Sequence, residues 1–160
     1  MHTFFIFIQY VGIIILLAEA YYVVSQKPSR QQQHLLFMII ALCTNFAGYL
    51  LELQAVSLEE ALQAVKFSYL GKPFIVLCLF LFVMHTCKVR IPRWLEKALV
   101  CVHAAIVLSA LTCEKHMLYY SSIQYTQEGI FPHLVLERGI LYRLYSVLML
   151  IYALIMIVKC

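Results

Sequence analysis

A chain of 160 residues that is 64% hydrophobic and only 12% charged, with mean hydropathy +0.88, is not an ordinary soluble domain, whose apolar share is about one half and charged share about one quarter. The charged set holds 12 Lys and Arg against 8 acids, and every acid is a glutamate, so chemistry that needs an Asp carboxylate as ligand or nucleophile is excluded. At about 20 apolar residues per spanning helix roughly five spans fit and no soluble catalytic domain does, while the +4 formal charge acts through its placement in loops rather than on nucleic acid.

Residues 4–24 form the first predicted span. It is not a cleaved signal peptide, because no basic region precedes the apolar run and no small-x-small site follows it. SQKPSRQQQH, with Pro28 and three glutamines, ends it in a loop. The second span covers residues 35–56. Ser57, with Glu60 three residues on, reads as a capping box that opens a third helix over 58–86, long enough to protrude on the outer side before its apolar stretch begins near Phe67. After KVRIPRW come a fourth span over 95–112 and a fifth over 140–158. Between these two lies an outer loop, 114–139, the one sizeable extramembrane piece. Its segments YYSSIQYT and IFPHLVL are rich in β-branched and aromatic residues and are separated by QEG, with Gly129 in the turn. A short β-hairpin lying over the outer mouth is expected, provided that it packs on something. The predicted fold class is therefore an all-α integral membrane helical bundle with five transmembrane helices and a short outer hairpin between helices four and five.

Charge placement sets the orientation. Lys27 and Arg30 follow the first span, Lys88, Arg90, Arg93 and Lys97 follow the third, and Lys159 ends the fifth, against Lys115 and Arg138 on the opposite side. The positive-inside rule makes the first group cytoplasmic, which puts the N-terminus outside and Cys160 inside. The six cysteines (Cys43, Cys78, Cys87, Cys101, Cys113 and Cys160) lie in or at the ends of apolar stretches without CxxC spacing, and most read as small core residues. A disulfide from Cys113 would require Cys43 or Cys78 to rise to meet it and is not expected.

Polar side chains inside spans are informative, because a charge at membrane depth is costly and faces a bundle interior or a wet cavity. Asn45, Tyr49 and Glu52 share one face of the second helix. Lys66, Tyr69, Lys72 and Pro73 stand toward the outer end of the third, and Glu137, Tyr142, Arg143 and Tyr145 at the outer end of the fifth. All lie in the outer half of the membrane, as an outward-opening polar pocket roofed by Phe131, Pro132 and His133 would require. The alternative for single residues is structural: Lys66 and Arg143 snorkel to the headgroups, and Glu52 pairs with Lys72 to lock helix two to helix three. Glu19, near the cytoplasmic end of the first helix, reads as a packing or gating partner whose charge burial disfavours. No HExxH, GxSxG or GxxxxGK occurs, none of the six histidines is followed by the Glu of a phosphoacceptor box, and neither a metal site nor a cofactor is expected.

The stretch GYLLEL (Gly48 to Leu53), a short acidic turn, and AVKFSYLGKPFIVLCLFLFVMHT (Ala64 to Thr86) resemble the N-terminal seven-transmembrane region of bacterial sensor histidine kinases and diguanylate cyclases. In that family the third helix reads K-x-x-Y-L-G, a nearby Pro, then an apolar run ending in a tyrosine-threonine-like pair. Lys66, Tyr69, Leu70, Gly71 and Pro73 match, while His85 and Thr86 stand where the pair would be. EGIFPHLVLERGILY (Glu128 to Tyr142) is similar to the family's outer segment. The resemblance spans about residues 5–158. It implies an outside N-terminus, seven helices and a cytoplasmic kinase or cyclase output, so two helices and the output domain would be missing from a fragment or from a shortened relative.

The expected function is a sensing module in the cell membrane. It would detect an extracellular or membrane-borne small anionic or zwitterionic ligand, since the expected pocket cluster of Glu52, Lys66, Lys72 and Arg143 holds three bases to one acid, and would relay a change of helix packing. The chain itself is then not an enzyme. Its expected partners are the lipid bilayer, the ligand and a second copy in a homodimer, with no nucleic acid. The alternatives are a small membrane scaffold or partner subunit and a transporter, the latter disfavoured because no inverted repeat and no pair of broken helices is present.

Overall fold

The computed structural model describes residues 2–27, 29–126 and 133–159. In chain order they form α1 (His2–Ser25), α2 (Arg30–Gln54), α3 (Leu58–Thr86), α4 (Arg93–Leu111), the single turn α5 (Cys113–His116), β1 (Tyr120–Thr126), β2 (His133–Arg138) and α6 (Ile140–Lys159). Five of the helices among these residues are long and apolar enough to cross a membrane, so the chain is a multi-pass membrane helical bundle with a two-stranded antiparallel hairpin.

The caps explain where the helices start. Ser29 Oγ accepts the Gln32 amide at 3.2 Å, so the three glutamines form the first turn of α2 rather than the expected loop, and α2 begins at Arg30 instead of residue 35. Ser57 Oγ accepts the Glu60 amide at 3.3 Å, and Glu60 Oε2 reaches back to the Val56 N–H at 3.0 Å. Such caps contribute about 1 kcal/mol each. At its other end α3 closes with the Val89 amide bonded to the Met84 carbonyl and the Lys88 amide to the His85 carbonyl, a Schellman motif whose left-handed position is filled by Lys88 at φ 59°.

α3 is the hub. It packs against α2, α4, α6 and both strands, whereas α1 packs on α2 and has Val23 as its one buried side chain. The α2–α3 contact is close because small residues face it. A Cβ built on Gly48 would lie 2.4 Å from Ser68 Cβ and 2.7 Å from its backbone, and one on Gly71 would lie 2.3 Å from the Ala41 carbonyl oxygen. Lipid tails supply no hydrophobic drive between helices, so backbone approach of this kind is what holds them together. At the end away from the hairpin, Leu77, Phe80, Leu81, Met84 and Tyr152 form one core cluster, beside which His103 is fully buried with Nδ1 donating to the Leu99 carbonyl at 2.8 Å.

The hairpin packs on the bundle. Its strands pair from Tyr120↔Arg138 to Thr126↔His133, with an irregularity between Tyr120 and Ser122, and it has its own buried cluster with the outer ends of α3 and α4, centred on Tyr69, Cys113, Tyr119, Tyr120 and Leu134. Gly139 lets the chain turn back into α6, because a Cβ there would meet the Leu118 carbonyl oxygen at 2.2 Å. The expected turn at Gly129 lies outside the described residues. Cys43, Cys78, Cys101 and Cys113 are free thiols, so Cys113 is not bridged to Cys43 or Cys78, while Cys87 is disulfide-bonded. Glu19 is not covered by other parts of the bundle and borders a crevice between α1 and α2.

Candidate functional site

A cavity of about 530 Å³ opens at the outer end of the bundle, walled by α1, α2, α3 and the hairpin. Its size is that of small-molecule sites. Phe5 and Gln9 come from α1, Tyr49 and Glu52 from α2, Ser68, Tyr69 and Lys72 from α3, and Tyr120, His133 and Leu134 from the strands. The outer end of α1 is pinned to that of α2 by His2 Nε2, which donates to the Leu53 carbonyl at 2.6 Å.

Charge inside the cavity is held by geometry. The Lys72 ammonium lies 5.0 Å from the Tyr69 ring centroid and 5.7 Å from that of Tyr49, a cation–π arrangement that keeps it between two aromatic faces. Glu52 Oε1 accepts the Leu134 amide at 3.4 Å, tying α2 to β2. The expected Glu52–Lys72 ion pair is therefore absent: the carboxylate engages the hairpin and the ammonium engages rings, so both charges border the same open space. Gln9 Oε1 is buried without a hydrogen-bond partner and lines this space. Pro73, one residue past Lys72, has no N–H to give and leaves the Tyr69 carbonyl without its helical donor.

Of the residues expected in the pocket, Tyr49, Glu52, Tyr69, Lys72 and His133 come together. The others stand elsewhere. Lys66 does not line the cavity: its Nζ pairs with Glu114 Oε2 at 2.5 Å, beside a separate surface hollow. Asn45 sits a turn below Tyr49, outside the cavity lining, with Oδ1 buried and unpartnered. Glu137 is exposed on β2 and accepts from Ser121 Oγ at 3.4 Å, and Arg143 is exposed on α6. Tyr142 lies behind the cavity, 5.7 Å from Tyr119 and 6.1 Å from Tyr120 between ring centroids. Phe131 and Pro132 lie outside the described residues. Sequence reasoning missed Phe5, Gln9, Ser68 and Tyr120. Gln9, the one polar side chain in ten otherwise apolar or aromatic residues from Phe4 to Ile13 apart from Gly12, was the available signal.

Behind the cavity the Tyr120 hydroxyl donates to the Tyr69 hydroxyl, and Tyr119 stands edge-on to both rings. Burial, with Tyr69 adding to it, pushes the phenols of Tyr119 and Tyr120 far above their ordinary 10.0. Above pH 10 the unfolded hairpin would release these protons while the docked one keeps them, so docking weakens by about 1.4 kcal/mol per pH unit for each phenol. An alkaline titration followed by tyrosinate absorbance and near-ultraviolet circular dichroism is expected to show late-titrating tyrosines whose ionisation coincides with loss of the aromatic signal. Ordinary titration of all 11 tyrosines with the signal intact would contradict this.

A family model described as the N-terminal 7TM region of histidine kinase matches residues 6–160. No curated protein and no solved structure matches the chain.

Proposed function

The chain belongs to the N-terminal seven-transmembrane region of histidine kinases, a membrane sensing module rather than a catalytic domain, and from that premise we propose what it senses and how. The module detects a small anionic or zwitterionic ligand arriving from outside the cell or from the outer leaflet, and relays a change of helix packing to a cytoplasmic kinase. It sits in the cell membrane and works as a homodimer. One observation carries the reading: Lys72 and Glu52, both inside the membrane-spanning helices, border one cavity of about 530 Å³ without pairing with each other. A cation held by two rings and the Tyr49 side chain, and an anion held by a hairpin amide, face one space without a direct ion pair between them and leave room for a partner that brings the opposite charges. The family description favours a kinase over a cyclase as the output.

Such a ligand stabilises the packing that it binds, by about 2.7 kcal/mol at a hundredfold excess over its Kd, and can bias the module only through different affinities for two packings. A panel of amino acids, dicarboxylates and small phosphates added to the chain in lipid nanodiscs is the test. At least one compound is expected to raise the unfolding midpoint of the wild type and to lose about tenfold or more of its affinity in Lys72→Met, as removal of a charge-assisted contact requires. Equal shifts in both proteins would remove Lys72 from the site, and no shift by any compound would remove the ligand class.

A further inference from the structure

At the cytoplasmic end a second recess, of about 470 Å³, lies where the C-terminus of α3 meets the starts of α2 and α4. Arg30, Lys88, Arg90 and Arg93 line it together with His85. Among the described residues none of these four cations has a carboxylate within ion-pair distance. Glu96, which lines a neighbouring groove instead, has Oε1 3.2 Å from His85 Nε2. Two long helices, α2 and α4, begin at the recess with Arg30 and Arg93, so their positive dipole ends add to the side-chain charge.

Membrane orientation explains why this loop is basic. It does not explain why a lysine fills the left-handed position of the α3 cap, φ 59°, where glycine is the usual occupant and any other residue is strained. The strained residue is one of the four that line the recess. Directly beyond the His85–Glu96 contact runs an apolar groove of about 730 Å³ between α2, α3 and α4, from His34 and Lys97 at its polar end past Phe37 and Phe74 to Leu70. His34 stacks on His85 with ring centroids 5.0 Å apart, so the basic recess and the apolar groove share a wall.

We propose that this paired recess and groove bind an anionic phospholipid of the inner leaflet, with its phosphate among Arg30, Lys88, Arg90 and Arg93 and an acyl chain along the α2–α3–α4 groove. The charge of the recess selects the phosphate, and the groove supplies what a soluble anion would not use. The site is separate from the outer cavity and does not depend on its ligand.

The single tryptophan, Trp94, follows Arg93 at the recess and is 70% exposed, which gives a local reporter. The full chain is placed in phosphatidylcholine nanodiscs carrying a minor fraction of phosphatidylglycerol, with brominated acyl chains on either lipid in turn. Brominated phosphatidylglycerol is expected to be enriched at Trp94 over brominated phosphatidylcholine by about fivefold for each cation engaged. Lys88→Gly is expected to lower that preference while raising the unfolding midpoint, because glycine relieves the cap, and Arg90→Gln is expected to lower it without touching the cap. Equal quenching by the two lipids, or an unchanged preference in both variants, overturns the proposal. Inorganic phosphate is expected to reduce the preference no more than chloride of equal ionic strength does. Full displacement by phosphate alone assigns the recess to a soluble phosphate and overturns the lipid.

Discussion

Gly48→Ala and Gly71→Ala are each expected to cost about 3 kcal/mol, at the upper end of what overpacking exacts, and to lower the yield of folded protein. Both added methyl groups would meet backbone: Ser68 Cα and N for Gly48, and the Ala41 carbonyl for Gly71. Backbone cannot rotate away, so α2 and α3 would have to separate along their whole contact. Gly12→Ala is the internal comparison. Its Cβ would lie as close, 2.5 Å, but to the ring of Phe46, a side chain that can swing aside, and a loss below about 1 kcal/mol is expected. Thermal unfolding of the three variants in one lipid composition checks the ranking. A Gly12→Ala loss equal to the other two would contradict the close α2–α3 approach as the cause.

Tyr119→Ala is expected to undock the hairpin. The side chain is fully buried and its ring contacts Tyr69, Tyr120 and Tyr142 at 5.0 to 5.7 Å between centroids. Emptying such a site costs about 3–5 kcal/mol, more than a two-stranded hairpin holds on its own. The loss should therefore appear as local opening rather than global unfolding. Backbone amides of β1 and β2 should exchange at rates near those of an open chain, while amides of α3 stay protected. Tyr125→Phe removes only the hydroxyl that donates to the Ala55 carbonyl at 3.1 Å, about 1 kcal/mol, and should leave the strands protected. Unchanged exchange in Tyr119→Ala would show that the hairpin is held by something other than the tyrosine cluster.

Much of the architecture was legible because membrane spans are long and apolar and because Ser57 and Glu60 announce a helix start. The hairpin was legible from the β-branched and aromatic richness of YYSSIQYT and IFPHLVL on either side of QEG. The start of α2 was not, since three glutamines look like a loop until Ser29 is seen to cap them. In the site, helical phase could have separated Lys66 from Lys72: six residues place them about 120° apart, and one faces Glu114 while the other faces the cavity. The contribution of α1 was hidden for another reason. It is apolar on nearly every side, so no stripe marks the face that meets α2, and at the cavity only Gln9 betrays it. Tyr142 and Arg143 are neighbours in the chain, so one faces the tyrosine cluster and the other turns outward, a division that the count of charges at one depth could not resolve.

Pro73 sits in α3 between its two ends of business, with Tyr69 and Lys72 on one side and His85 on the other. Twelve residues of helix separate it from His85, about 18 Å. A tilt of α3 at Pro73 would pivot beside the Gly71–Ala41 contact, where the two backbones approach most closely. A tilt of about 5° at that point swings His85 through about 1.6 Å, comparable to the helix shifts of about 1–2 Å that switch interfaces elsewhere. On the proposed function, a sub-ångström adjustment among Tyr49, Tyr69 and Lys72 would therefore reach the far end of α3 enlarged rather than damped.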